Sequence, residues 1–144
     1  MSALVIDASV VAAALSPEPF RDVAGAILLS GRRLLAPDLL VAELGNVAWK
    51  RQQRGDLEAG EVEAFLADAL RVPIELTPSA ALVGSALSIA ILSGRSVYDC
   101  LYLALAIDQA AVMITADRRL VNACAGSPLA QHMAWLGDDP QRLP

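Results

Sequence analysis

The stretch Ser2-Ala3-Leu4-Val5-Ile6-Asp7-Ala8-Ser9-Val10-Val11 decides the fold. Leu4, Val5 and Ile6 form an unbroken apolar run, the pattern of a strand buried on both faces of a parallel sheet. A carboxylate follows at once. In open α/β sheets, side chains just past the carboxyl end of a strand face the crevice where ligands bind, so Asp7 stands where chemistry is done. An aspartate at that place also caps a helix, and Ser9 to Leu15 reads as one. On this stretch alone both readings stay open.

Downstream the chain alternates between short apolar runs and helical periods. Pro19 opens a helix over Phe20 to Leu29, which Ser30 and Gly31 stop. Arg33 to Ala36 is a short buried strand, and Pro37-Asp38 starts a helix running to about Arg54. On that helix Leu40, Leu44 and Val47 form an apolar face. Leu39, Glu43, Asn46 and Lys50 fall on a neighbouring stripe, so Glu43 and Asn46 look in one direction. Gly55 ends the helix and Asp56 caps the next, whose apolar period includes Phe65 and Leu70. Val72 to Leu76 is a third strand. The helix from Ser79 to Ser93 is apolar nearly all round and is expected to be buried, with Gly94 as its stop. Ser96 caps a helix through Gln109 and places Asp99 in its first turn, where the helix dipole favours an anion. Ala111 to Thr115 is a fourth strand, followed by Asp117 and a helix over Arg118 to Ala125. His132 to Leu136 reads as a fifth, edge strand. Strands alternating with helices predict a parallel sheet with helices on both faces, in right-handed crossovers. With no linker, repeat or low-complexity segment, residues 1–136 are expected to form one domain and 137–144 a polar C-terminal tail.

Composition narrows the function classes. At 56% hydrophobic, the 144-residue chain is richly apolar, yet no run approaches the ~18 to 20 residues of a membrane span. The surplus is therefore expected to cover an oligomer or partner interface. The N-terminal apolar segment lacks a basic n-region and Asp7 interrupts it, so no signal peptide and a cytoplasmic location are expected. Cys100 and Cys124 make no ligand spacing and read as packed, reduced thiols. With His132 the only histidine, the sequence argues against a Cys/His zinc site and against a His-based triad. The net charge of −5 gives no overall attraction for nucleic acid. Short basic clusters, Arg32 with Arg33, Lys50 with Arg51 and Arg54, and Arg118 with Arg119, read as solvated helix ends.

Four acids stand out because each lies in an apolar setting at an element end or on an inward-looking stripe: Asp7, Glu43, Asp99 and Asp117. Asp7 and Asp117 follow the first and fourth strands, and they meet if the sheet order reverses between those strands. Crowded carboxylates do not all stay ionised without a counter-charge. A hard divalent cation, Mg²⁺ or Mn²⁺, supplies it through oxygen ligands and waters. Such a site activates water and stabilises charge building on a phosphodiester. Taken singly, each acid also has an ordinary role: Glu43 a surface helix residue, Asp99 a dipole partner, Asp117 a helix cap.

The motifs Val5-Ile6-Asp7-Ala8-Ser9, Ala42-Glu43-Leu44-Gly45-Asn46, Tyr98-Asp99-Cys100-Leu101-Tyr102-Leu103-Ala104-Leu105-Ala106 and Ile114-Thr115-Ala116-Asp117 carry a family resemblance. With them, over nearly its whole length, the chain resembles PIN-domain proteins, specifically the VapC-like toxins of type II toxin-antitoxin pairs. The resemblance implies a three-layer α/β/α fold with about five parallel strands in the order 3-2-1-4-5. It further implies Mg²⁺- or Mn²⁺-dependent endoribonuclease activity and neutralisation by a cognate antitoxin protein. Carried over by position, Asp7, Glu43, Asp99 and Asp117 are the catalytic quartet, with Asp7, Asp99 and Asp117 as metal ligands. Ser9 and Thr115 are hydroxyl neighbours, and Asn46 supports from the Glu43 stripe. The expected partners are RNA, an antitoxin helix lying between the second and fourth helices, and a second copy in a homodimer, with no membrane. Two other readings compete. A receiver-type phosphoacceptor module wants an acidic pair near the first strand and a late lysine, whereas the sole lysine is Lys50. A catalytically idle binding domain would use the acids structurally.

Overall fold

The computed structural model describes residues 3–139 and 142–144, so the first two residues of the chain and residues 140 and 141 of the expected tail lie outside the described residues. The elements follow in the order β1 (Leu4–Ile6), α1 (Ala8–Ala14), α2 (Arg21–Leu28), β2 (Leu34–Pro37), α3 (Leu39–Gln53), α4 (Ala59–Arg71), β3 (Ile74–Thr77), α5 (Ser79–Ser93), α6 (Val97–Asp108), β4 (Val112–Thr115), α7 (Arg118–Cys124), a 3₁₀ turn (Pro128–His132) and β5 (Met133–Trp135). All five expected strands form. They make one parallel sheet in the order β3-β2-β1-β4-β5, as the family resemblance implies.

Burial explains why the opening stretch governs this arrangement. β1 is central, and Leu4, Val5 and Ile6 are all buried, as are all four residues of β2. Edge strand β3 is only partly covered. The chain steps from β1 to β2 to β3 in one direction and then returns past β1 to β4. Right-handed crossovers therefore put α1 to α4 on one face and α5 to α7 on the other. Helix α6 carries the heaviest core load, with Cys100 to Ala106 buried without a break as it packs on β1, β2 and β4. Both cysteines are buried and free, as expected.

Two local expectations are corrected, and Asp38 gains a second role. Helix α5 is not enclosed: Leu82 and Ala86 are buried, but Val83, Leu87, Ile91 and Leu92 are exposed, the last two at 75% and 88%. The reason is that α6 lies between α5 and the sheet, so α5 has a covered side only where it folds back on α6 through a 113° bend. Among the described residues, no single helix is long and apolar enough to cross a membrane. Asp56 does not cap α4. That helix starts at Ala59, and Glu61 reaches back to accept the Glu58 backbone N–H at 3.0 Å, capping the helix start. Asp38 starts α3 but caps a different helix, accepting the Ser79 N–H of α5 at 2.9 Å and the Ser79 hydroxyl. Those two hydrogen bonds hold its carboxyl below the usual range.

The basic clusters are not uniformly solvated either. Arg51 is buried, pairs with Glu18 at 2.7 Å and lies over the Phe65 ring at 5.0 Å, tying α3 to the α1–α2 connection and to α4. Arg118 lies 4.4 Å over the Trp135 ring. Arg51→Ala removes packed methylenes as well as charge and leaves a gap against Phe65, so it is expected to lower stability by about 2 to 3 kcal/mol. Urea denaturation checks this, and an unchanged midpoint would mean that the buried guanidinium does not brace α3.

Candidate active site

The register of the two central strands creates the site. Ile6 of β1 pairs with Ile114 of β4, so the residue leaving β1 lies beside Thr115, the last residue of β4. Asp7 therefore meets a side chain 108 positions away in sequence. The Thr115 hydroxyl, fully buried, donates to Asp7 Oδ2 at 2.6 Å. Asp7 Oδ1 accepts the Ser9 N–H at 3.0 Å, the Val10 N–H at 3.4 Å and the Ser9 hydroxyl. The residue is thus both the N-cap of α1 and an acid at the crossover of the sheet.

The network continues across the strand ends. Ser9 Oγ accepts the Ala116 N–H at 2.9 Å, and Thr115 Oγ1 accepts the Asp117 N–H at 3.0 Å. Asp117 in turn caps α7, its Oδ1 accepting from Arg119 and Leu120 at 3.0 and 3.2 Å. Ser9 and Thr115 consequently lie between Asp7 and Asp117. From the opposite side of the sheet, Ser96 caps α6 by accepting the Asp99 N–H at 3.2 Å, which fixes Asp99 in the first helical turn. From α3, Glu43 reaches the same place, and its Oε1 accepts the Tyr102 hydroxyl at 2.5 Å. Asn46 sits one turn further along α3 on the exposed wall of an adjoining cleft of about 330 Å³ and makes no side-chain hydrogen bond to another described residue.

Electrostatics show that the acids act on one another. Asp7 is pushed up to about 6, first by burial and further by the Glu43 charge, against the pull of the Ser9 and Thr115 hydrogen bonds. Glu43 is raised by burial and by Asp99, with the Tyr102 hydrogen bond opposing. Asp99 is raised by burial and by Asp117, with the Ser96 hydrogen bond and Arg95 opposing. Burial and the neighbouring carboxylates also push the Tyr102 phenol up, so it remains a hydrogen-bond donor. Tyr102 and Arg95 are the two participants that the sequence reading did not pick out. Tyr102 carried a signal, since it stands three positions after Asp99 and therefore shares its helix face. Arg95 lies in the short α5–α6 connection, where spacing says nothing about direction.

Among the described residues, no three Asp, Glu, His or Cys side chains form a group that encloses a metal ion unaided. The donor chemistry still fits a hard cation: the acids are oxygen donors raised first by burial and further by one another's charge, and Mg²⁺ commonly keeps several waters alongside its carboxylates.

The PIN domain family model matches residues 4–126, which span β1 to the end of α7 and include every one of these side chains. The chain belongs to the PIN domain family. It is 31% identical over 119 residues to Ribonuclease VapC3 of Pyrobaculum aerophilum, a match covering 81% of this chain and 91% of that protein. The crystal structure of PAE2754 from Pyrobaculum aerophilum superposes with a TM-score of 0.68 at 22% identity, covering 88% of this chain and 82% of the other. VapBC2 from Rickettsia felis, solved bound to a DNA fragment from their promoter, gives 0.62 at 15% identity over 92% of this chain and 98% of its own. At these identities the two structures establish the PIN fold alone.

The raised Asp7 value makes a stability prediction. The folded chain holds the Asp7 proton more tightly than the unfolded chain, so ionising this acid weakens the fold. That cost is absent below about pH 4, grows between the ordinary 3.8 and about 6, and is complete above it. The difference corresponds to roughly 3 kcal/mol. Without metal, Asp7→Asn is expected to be more stable than the parent at pH 8, with the gap shrinking toward pH 4. Paired denaturation curves across that range test it, and a variant less stable than the parent at pH 8 would contradict it.

Proposed function

We propose that this PIN-domain chain is a Mg²⁺- or Mn²⁺-dependent endoribonuclease, the toxin of a type II toxin-antitoxin pair. The observation that supports this reading is that acids from four separate parts of the chain feel one another in sequence, Glu43 acting on Asp7, Asp99 on Glu43 and Asp117 on Asp99. The likeness to a protein named as a ribonuclease supports the substrate class. A structural repertoire of capping and packing gives no reason to crowd four carboxylates at a sheet crossover.

In this reading Asp7, Asp99 and Asp117 hold the ion together with waters, and Ser9 and Thr115 fix the orientation of Asp7. A bound divalent ion supplies an acidic water and offsets charge on the scissile phosphate. Glu43 is held by Tyr102 through Oε1, which leaves Oε2 to take the proton of the attacking water.

Antitoxin binding and dimerisation belong to the same proposal. A cleft of about 330 Å³ between α2 and α4, lined by Leu15, Leu28, Leu29 and Val72, suits the apolar face of an antitoxin helix. The exposed row Val83, Leu87 and Ile91 on α5 suits a symmetric contact between two copies.

Residues that share one metal site act as a unit. Asp7→Ala and Asp99→Ala are each expected to cut RNA cleavage by roughly 10² to 10³-fold or more, with the double variant little worse. EDTA should stop cleavage, and Mg²⁺ or Mn²⁺ should raise the melting temperature of the parent but not of Asp7→Ala. Cleavage that persists in EDTA defeats the metallonuclease reading.

A further inference from the structure

The net charge of −5 leaves RNA affinity without an obvious source, and four of the basic side chains are already committed to acids: Arg33 to Glu75, Arg51 to Glu18, Arg54 to Asp56 and Arg71 to Asp68. The cleft beside Glu43 is different. It has a volume of about 330 Å³ and is lined by Leu39, Asn46, Lys50 and Tyr98, with Glu43 as the wall it shares with the acid cluster. Tyr98 directly precedes Asp99 and is 65% exposed, unusual for an aromatic ring with a core nearby to receive it. Among the described residues the Tyr98 and Asn46 side chains make no hydrogen bond, and Lys50, the one lysine of the sequence, makes no ion pair. An aromatic plane, an amide with both a donor and an acceptor, and a cation thus line one cleft, all without internal partners. They are the three components with which proteins grip unpaired nucleotides: stacking, base-edge hydrogen bonding and phosphate pairing.

We propose that this cleft is a subsite for one unstacked nucleotide of single-stranded RNA, with its base on the Tyr98 ring, the base edge read by the Asn46 amide and its phosphate held by Lys50. The inference rests on the ribonuclease reading for its substrate class, and it adds where affinity and base preference arise. Because Tyr98 is joined by one peptide bond to Asp99, a base seated on it sets which phosphodiester reaches the acids. Stacking accepts every base, so discrimination falls to Asn46.

The test uses the full chain and a short, fluorescently labelled, mixed-sequence single-stranded RNA, with binding followed by anisotropy in EDTA so that cleavage does not intervene. Tyr98→Ala is expected to weaken binding about tenfold, and Tyr98→Phe or Tyr98→Trp to restore it to within about twofold, because the ring face does the work. Lys50→Ala should lower the slope of log affinity against log salt by about 0.7, one phosphate contact on a single strand. Sequencing of the ends produced in Mg²⁺ should show Asn46→Ala changing the base preferred beside the cut. Tyr98 is exposed, so folding is not at stake, and Tyr98→Phe controls for the hydroxyl. Binding by Tyr98→Ala equal to that of the parent overturns the subsite, as does a Tyr98→Ala that loosens only a protein partner. A parent that binds RNA through Tyr98 but never cuts it would sink the nuclease reading and leave the subsite standing.

Discussion

One constraint organises the molecule: a carboxylate must be held at the buried end of the central strand. Asp7 is given hydrogen bonds by Ser9, Val10 and Thr115, and these favour its charged form. Burial and the charge on Glu43 outweigh them, since the acid is pushed up to about 6. The fold therefore keeps a destabilising group at its centre and braces it from two directions, through the α1 cap and through β4. Thr115 and Ser9 each do double duty in that brace, donating to Asp7 while accepting a backbone N–H from the turn after β4. A change at either hydroxyl would loosen the acid and the turn together.

Two of the four proposed site acids are also helix caps, and a third lies in a first helical turn. Asp7 caps α1, Asp117 caps α7, and Asp99 lies in the first turn of α6. Three helix N-termini thus bring their positive dipole ends toward these acids, which offsets part of the repulsion among them. Only Glu43 arrives from the middle of a helix, and it is the one held instead by a side chain, Tyr102. The ordinary reading of each acid as a cap and the catalytic reading of the set are compatible, because a cap leaves part of the carboxylate facing the crevice.

The same layering explains the apolar surface. With α6 filling the space over β1, β2 and β4, the outer helix α5 has little left to bury and keeps Val83, Leu87, Ile91 and Leu92 outside. On the other face, Arg51 inserted between Phe65 and Glu18 fills volume that an apolar side chain would otherwise take. Apolar excess in the composition thus reports surface as much as core.

Much of the architecture was legible in the sequence because it rests on local physics. Unbroken apolar runs marked β1, β2 and β4; Ser96, Asp117 and Gly94 marked helix ends; and the family motifs supplied the strand order. The four acids could be named because each follows a recognisable element end or an inward stripe. What only the tertiary structure decided are relations between distant segments. The pairing of Ile6 with Ile114 brings Thr115 onto Asp7, and no periodicity within either strand encodes that register. Asp38 starts one helix and caps another because β2 and β3 lie side by side, with Pro37 opposite Thr77. Arg51 reads as a solvated end of a helix until α1 and α4 close over it. Sequence determines which groups a segment can offer, through propensity and spacing. Which of them meet, and whether their charges are sheltered or wet, depends on long-range packing, because desolvation is a property of everything that surrounds a group.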